Sequence, residues 1–168
     1  NEVITMERFD LTELIRGVIN SSAILLNQNE ITLDFTQQEP LYAWADEFKV
    51  EEVVTNYLSN AIHHAEGEKR IDISCVQKGD KVRVSVFNTG NPIPEEDVDN
   101  IWIKFYKVDK ARTREYGGSG IGLSIVRAIM DSFHQKGGVI NHEDGVEFWF
   151  ELETNNGNFS VDKSYQKC

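Results

Sequence analysis

Apolar and polar positions alternate along this chain with two periods, near 3.6 and near 2, and the changes of period divide it into helices and strands. Leu14, Ile15 and Val18 recur at helical spacing behind Asp10, which can cap such a helix, and Glu13 completes a capping-box pattern. Ile31, Leu33 and Phe35 alternate with polar residues as a strand does, and a turn at 38–40 leads to a second short strand carrying Tyr42 and Trp44. Asp46 then precedes Val50, Val53, Val54, Tyr57, Leu58, Ala61 and Ile62, the strongest helical signal in the chain. Ile71, Ile73 and Cys75 alternate, Lys78-Gly79-Asp80 turns, and Val82, Val84 and Val86 alternate back, which predicts a β-hairpin. Pro94 suits the first turn of a short helix reaching Asp99. Residues 104–116 carry no period and read as a mobile loop. Ser119 opens a helix bearing Leu123, Val126, Ile129 and Phe133, with Gly137-Gly138 as its end. A last hairpin pairs Val139-Ile140 with 146–152 across 142–145, and the opening seven and final fourteen residues, 1–7 and 155–168, show no core pattern.

This order of elements does not alternate strictly between strand and helix. It predicts a two-layer α+β sandwich, a mixed and mainly antiparallel sheet of about five strands packed on about three helices, rather than a doubly wound parallel sheet. The expected domain runs over 9–154, between the end of a linker at 1–8 and a tail at 155–168.

The length of 168 residues suits one domain able to bury its own core without a metal or disulfide staple. The formal net charge of -11, from 28 acidic against 17 basic residues, argues against a nucleic-acid binder. No apolar run is long enough to span a bilayer. Cys75 falls in a strand and reads as a small core residue, Cys168 is terminal, and neither has metal-ligand spacing, which fits a reducing compartment.

Against that acidic background Lys104, Lys107, Lys110, Arg112 and Arg114 stand between two glycine clusters, Asn88-Thr89-Gly90-Asn91-Pro92-Ile93 and Gly117-Gly118-Ser119-Gly120-Ile121-Gly122-Leu123. Bare backbone N–H groups at a helix start, beside concentrated positive charge, are what a polyphosphate needs. The spacing is neither the dinucleotide fingerprint nor a Walker-type loop, so both common nucleotide folds are disfavoured. A glycine-rich hinge and a solvated basic loop are the plain alternatives. Asn56, Asn60 and His63 or His64 form a polar stripe at the edge of the apolar face of the long helix, where an amide oxygen can ligate Mg²⁺ and a histidine can reach phosphate. Asparagines on a helix more often just meet water. Asn88 ends a strand, where an amide can accept from an adenine amino group or simply shape a turn.

In order, these segments resemble the ATP-binding catalytic domain of sensor histidine kinases, in the GHKL superfamily shared with gyrase B, MutL and the heat-shock chaperone ATPase. Asn56-Tyr57-Leu58-Ser59-Asn60-Ala61-Ile62-His63-His64 is similar to the N box, and Asn88 through Ile93 to the first glycine box. Ile101-Trp102-Ile103-Lys104-Phe105-Tyr106-Lys107 is similar to the F box, Gly118 through Leu123 to the second glycine box, and Gly145-Val146-Glu147-Phe148 to the final hairpin. The resemblance implies that Asn60 ligates Mg²⁺, that Asn56 faces the phosphates or a metal-bound water, and that Asn88 contacts adenine with Gly90 and Ile93 shaping the base pocket. It implies that Lys107 and Arg112 belong to a mobile ATP lid anchored by Phe105, that Gly118, Gly120 and Gly122 supply hinge and backbone donors, and that His63, His64, Tyr106, Ile121 and Leu123 also line the ATP site. Three positions depart from the family pattern: Asn88 replaces an aspartate, Pro92 a glycine and His63 a lysine. The wording of the boxes resembles vancomycin-resistance-type and related sensors of Gram-positive bacteria.

The activity so implied is transfer of the γ-phosphoryl group of Mg-ATP to a histidine on a separate dimerisation domain, for relay to a response regulator. Hydrolysing relatives carry glutamate where Asn56 stands, and an amide cannot take a proton near neutral pH. That position argues against an anti-sigma-type serine kinase, while a nucleotide-binding regulatory module without catalysis is the other alternative. No histidine here has the acceptor context, so the chain is expected to be a cytoplasmic part of a membrane-anchored, homodimeric bacterial sensor, able to bind ATP without phosphorylating itself. Nucleic acid is not an expected partner.

Overall fold

The computed structural model describes residues 3–37, 39–104, 106 and 122–155. Its elements in order are β1 (Glu7–Asp10), α1 (Leu11–Ser21), α2 (Ala23–Gln28), β2 (Thr32–Asp34), β3 (Tyr42–Ala45), α3 (Glu47–His64), β4 (Arg70–Lys78), β5 (Lys81–Thr89), a short 3-10 turn (Glu95–Asp97), α4 (Gly122–Ser132), β6 (Gly137–His142) and β7 (Gly145–Glu153). The strands form one seven-stranded sheet in the order β1-β3-β7-β5-β4-β2. β6 pairs β7 along Gly145–Phe150, and β3 meets the same edge of β7 only further on, where Trp44 pairs Glu153. Among the described residues only β2 and β4 run parallel. The sandwich and its mainly antiparallel sheet are as the sequence predicts.

Alternation decides which face is covered. Val82, Val84 and Val86 of β5 and Val146, Phe148, Phe150 and Leu152 of β7 are buried, while Lys81, Arg83, Glu151 and Glu153 lie on the other face. There Arg83 pairs Glu151 at 2.9 Å and stacks 3.8 Å from the Trp149 ring centroid. α3 packs between α1 and α4 against β5, and its Tyr57, fully buried between Phe148 and Phe150, donates its hydroxyl to the Trp149 carbonyl at 3.0 Å. Burial pushes that phenol up from its ordinary pKa, and pushes the Cys75 thiol up to about 12, so both stay neutral core groups.

Several details differ from the sequence reading. Among the described residues the sheet has seven strands rather than about five. β1 straddles the expected boundary at residue 9, and a single inward apolar residue, Phe9, gives it no visible alternation. Asp10 does cap α1, its Oδ1 accepting from the Glu13 N–H at 3.0 Å, but the Glu13 carboxylate takes Arg16 at 2.7 Å instead of closing a capping box. The helix is interrupted at Ser22, so α2 is separate. After Pro94 the helix is only the 3-10 turn Glu95–Asp97. Gly137 and Gly138 do not end a helix; they begin β6, because a Cβ on Gly138 would lie 2.8 Å from the Trp149 ring and one on Gly137 3.2 Å from the Trp149 carbonyl and the Tyr57 hydroxyl. The helix has already stopped at Ser132, with His134 turning the chain at φ 56°.

Candidate functional site

α3 begins at Asp46, whose carboxylate accepts from the Lys49 N–H at 3.2 Å and the Thr5 N–H at 2.9 Å, fixing both the helix and the incoming chain. Its apolar face is the buried one, from Val50 to Ile62. Asn56 and Asn60 are half-buried, between exposed Thr55 and Ser59 on one side and buried Tyr57, Leu58 and Ala61 on the other, so the amide stripe sits at the rim as its spacing predicts. His63 is exposed and His64 half-buried.

Gly122, at the head of the described part of α4, faces this stripe: a Cβ there would lie 3.3 Å from Asn56 Oδ1. The chain after β5 closes on the end of the same helix. Gly90 has φ 148°, and a Cβ on it would lie 2.8 Å from the His64 carbonyl oxygen. Such a close approach of backbone needs glycine. The Glu66 N–H donates to the Thr89 carbonyl at 2.9 Å and the Gly90 N–H to the Asp144 carbonyl at 3.0 Å, so the β6–β7 turn is held at the same end of the sheet.

Asn88 is 2% exposed, on the helix-covered face of β5, and its Nδ2 donates to the Thr89 carbonyl at 3.1 Å. Gly145 crosses over it so closely that a Cβ would lie 2.1 Å from the Asn88 carbonyl oxygen. One rung of the sheet runs Asn141, Val146, Asn88, Ile71 across β6, β7, β5 and β4. Half-buried Ile93 is hung from that rung: its N–H donates to Asn141 Oδ1 at 2.9 Å and its carbonyl accepts from Asn141 Nδ2 at 2.8 Å.

Beyond Ile93 the chain is clamped to the body of the domain. Ile101 is buried, and Trp102 meets Phe148 edge-on at 5.9 Å. The Tyr106 hydroxyl donates to the carboxylate of buried Asp97, and this bond, more than desolvation, raises the phenol above its ordinary pKa. Tyr106 therefore serves here as a tether.

The structure thus brings together Asn56 with Gly122, His64 with Gly90, and Ile93 with the rung of Asn88. Asn60 lies one turn beyond Asn56, and Leu123 is half-buried against the core. Phe105, Lys107, Arg112, Gly118, Gly120 and Ile121 lie outside the described residues. Sequence reasoning missed Asp97 and Asn141. Nothing local marks Asp97, but Asn141 is a polar residue two places after Val139, at a strand position where alternation calls for an apolar one.

Among the described residues no group of three His, Cys, Asp or Glu side chains could hold a cation. Asn60 offers a single hard oxygen, which suits Mg²⁺ only if the remaining ligands come from water and phosphate. At Gly90 and Gly122 the space a Cβ would take is held by the His64 carbonyl and Asn56 Oδ1, so these glycines let the two segments close on α3. Among the described residues no helix is long and apolar enough to cross a membrane.

The family described as histidine kinase-, DNA gyrase B-, and HSP90-like ATPase matches residues 45–156. The sensor protein kinase WalK of Staphylococcus epidermidis is 32% identical over 134 residues, which are 79% of this chain and 22% of WalK. The chain thus spans 22% of that curated relative's length. Among solved structures, the nucleotide-free catalytic domain of histidine kinase ThkA is 35% identical with a TM-score of 0.79, over 89% of this chain and 96% of that one. ThkA in complex with the response regulator protein TrrA is 31% identical with a TM-score of 0.75, over 91% of this chain and 43% of that one.

Proposed function

Because the chain belongs to the histidine kinase-, DNA gyrase B-, and HSP90-like ATPase family, as the catalytic domain of a sensor histidine kinase, we propose that it holds Mg-ATP and presents the γ-phosphoryl group to a histidine of a separate dimerisation domain. The observation that carries this reading is the approach of Gly122 to the Asn56 amide, which sets a glycine-bearing helix start against the polar rim of α3. Asn60 supplies one oxygen to Mg²⁺. Asn56, a neutral amide, orients phosphate or a metal-bound water without taking a proton. Asn88 accepts from the adenine amino group, with Gly90 and Ile93 shaping the base pocket; His63 and His64 reach toward phosphate, and Leu123 and Tyr106 belong to the wider ATP site, as the family resemblance implies. Lys107 and Arg112 belong to a lid that closes on the phosphates and is anchored by Phe105, Gly118, Gly120 and Gly122 supply hinge and backbone donors, and Ile121 also lines the ATP site, as the family resemblance implies.

Transfer of this kind is mainly positioning and charge stabilisation. The lone pair of a neutral imidazole attacks the γ-phosphorus, the bond to the β–γ bridging oxygen breaks, and ADP leaves with the electron pair. No base on this domain is needed, which suits an amide at position 56 rather than a carboxylate. The phosphoryl group then passes to a response regulator; ThkA is described in complex with one. The domain is proposed to span about 9–154 and to work in the cytoplasm within a membrane-anchored homodimer, and the relatives' greater length leaves room for the histidine and sensing parts.

The test is radiolabelling. Protein that includes the dimerisation domain, given γ-labelled ATP and Mg²⁺, gains an acid-labile, base-stable phosphohistidine, and the chain alone gains none. A base-labile or acid-stable label, or none at all from folded protein that binds ATP, contradicts it.

A further inference from the structure

Asn141 occupies an inward position of β6, and both ends of its amide are spent on one residue, Ile93. The pair imitates a strand ladder with a side chain in place of the neighbouring backbone. Residues 91–94 belong to no regular element, so the Asn141 amide gives this stretch a ladder-like support that strand pairing does not. The anchor also lies at a telling height. Asn141 pairs Val146, and Val146 pairs Asn88, so the two asparagines share one rung and one face of the sheet. Two strand spacings put them about 10 Å apart, with the buried Val146 side chain between them on the rung.

We propose that Asn141 is the positioning residue of the adenine pocket. It fixes the Ile93 backbone, and with it the Ile93 side chain, as the wall opposite the base edge that Asn88 reads, and so sets the preference for adenine over other purines. This rests on the reading of the site as an ATP site. Leucine at 141 keeps the volume but leaves both Ile93 groups unpaired. Aspartate keeps the acceptor for the Ile93 N–H and loses the donor to its carbonyl.

Affinities for ATP and GTP, measured by competition against a fluorescent nucleotide analogue, test this in the wild-type chain, Asn141→Leu and Asn141→Asp. The wild type binds ATP in preference to GTP. Asn141→Leu weakens ATP about tenfold, the scale of one or two lost hydrogen bonds, while GTP changes less than about twofold, so the preference shrinks. Asn141→Asp falls between. Equal losses for both nucleotides would reveal a general scaffold role and overturn the proposal, as would unchanged ATP affinity or a wild type without preference. If the leucine variant does not fold, the ratio for the aspartate variant decides. A folded wild type that binds neither nucleotide removes the ATP reading itself, an outcome separate from any effect at Asn141.

Discussion

A methyl group on Gly122 would lie 3.3 Å from Asn56 Oδ1, tighter than ordinary van der Waals contact, so a side chain there fits only as the Asn56 amide gives by a few tenths of an ångström. Alanine is the better helix former by up to about 1 kcal/mol, so Gly122→Ala should melt at or slightly above the wild-type temperature. The displaced amide should nevertheless weaken Mg-ATP binding several-fold. Calorimetric titration with a melting curve on the same sample checks both, and wild-type affinity would place this contact outside the nucleotide site.

Asn60 is the one amide to which metal binding is assigned. Asn60→Ala should leave the fold intact, since the residue is half-buried at the rim, and should abolish the strengthening of ATP binding by Mg²⁺. Titrations with Mg²⁺ and with a chelator decide it: an undiminished Mg²⁺ effect in the variant refutes the assignment.

Asn88→Asp should act in two directions. A charged acceptor makes the stronger hydrogen bond to an adenine amino group, so ATP should bind more tightly. In the free domain the same carboxylate, buried at a position 2% exposed, faces the Thr89 carbonyl where an amide donor stood, at a cost of roughly 1–3 kcal/mol. Denaturant unfolding and calorimetry should show lower stability with higher affinity. Equal affinities would mean that the base is read elsewhere.

The strong periods of α3, β4, β5 and β7 make the two-layer sandwich legible, because a residue such as Val84 or Leu58 reports its own burial through spacing. The polar rim of Asn56 and Asn60 follows from the same arithmetic. What sequence alone conceals is set by contacts between distant segments. Gly138 reads as a helix stop until the Trp149 ring is seen lying across it, and β1 shows only Phe9 as an inward apolar residue. The pairing of Asn141 with Ile93 spans 48 positions, so no local pattern around Ile93 announces it.

Asp10 gives the fold a pH dependence whose sign is fixed. Burial pulls its carboxyl upward, but hydrogen bonds from the Thr12 hydroxyl and the Glu13 and Thr12 N–H groups, with the Arg16 charge, outweigh this and hold it below the usual aspartate value. A carboxyl depressed in the folded state stabilises above its unfolded pKa and loses that contribution as pH falls through the folded one. Asp10→Ala should therefore cost about 1 kcal/mol near neutral pH, the usual worth of a helix cap, and the gap to wild type should narrow below about pH 4. A gap constant down to about pH 3 would show that the charged cap contributes nothing.

The most direct measurement is a calorimetric titration of the folded chain with ATP, with and without Mg²⁺. Saturable one-to-one binding that Mg²⁺ strengthens is the expected result. A folded domain that shows no saturable interaction with ATP under either condition would contradict the assignment of Asn60, Asn88 and the two glycine clusters to a nucleotide site.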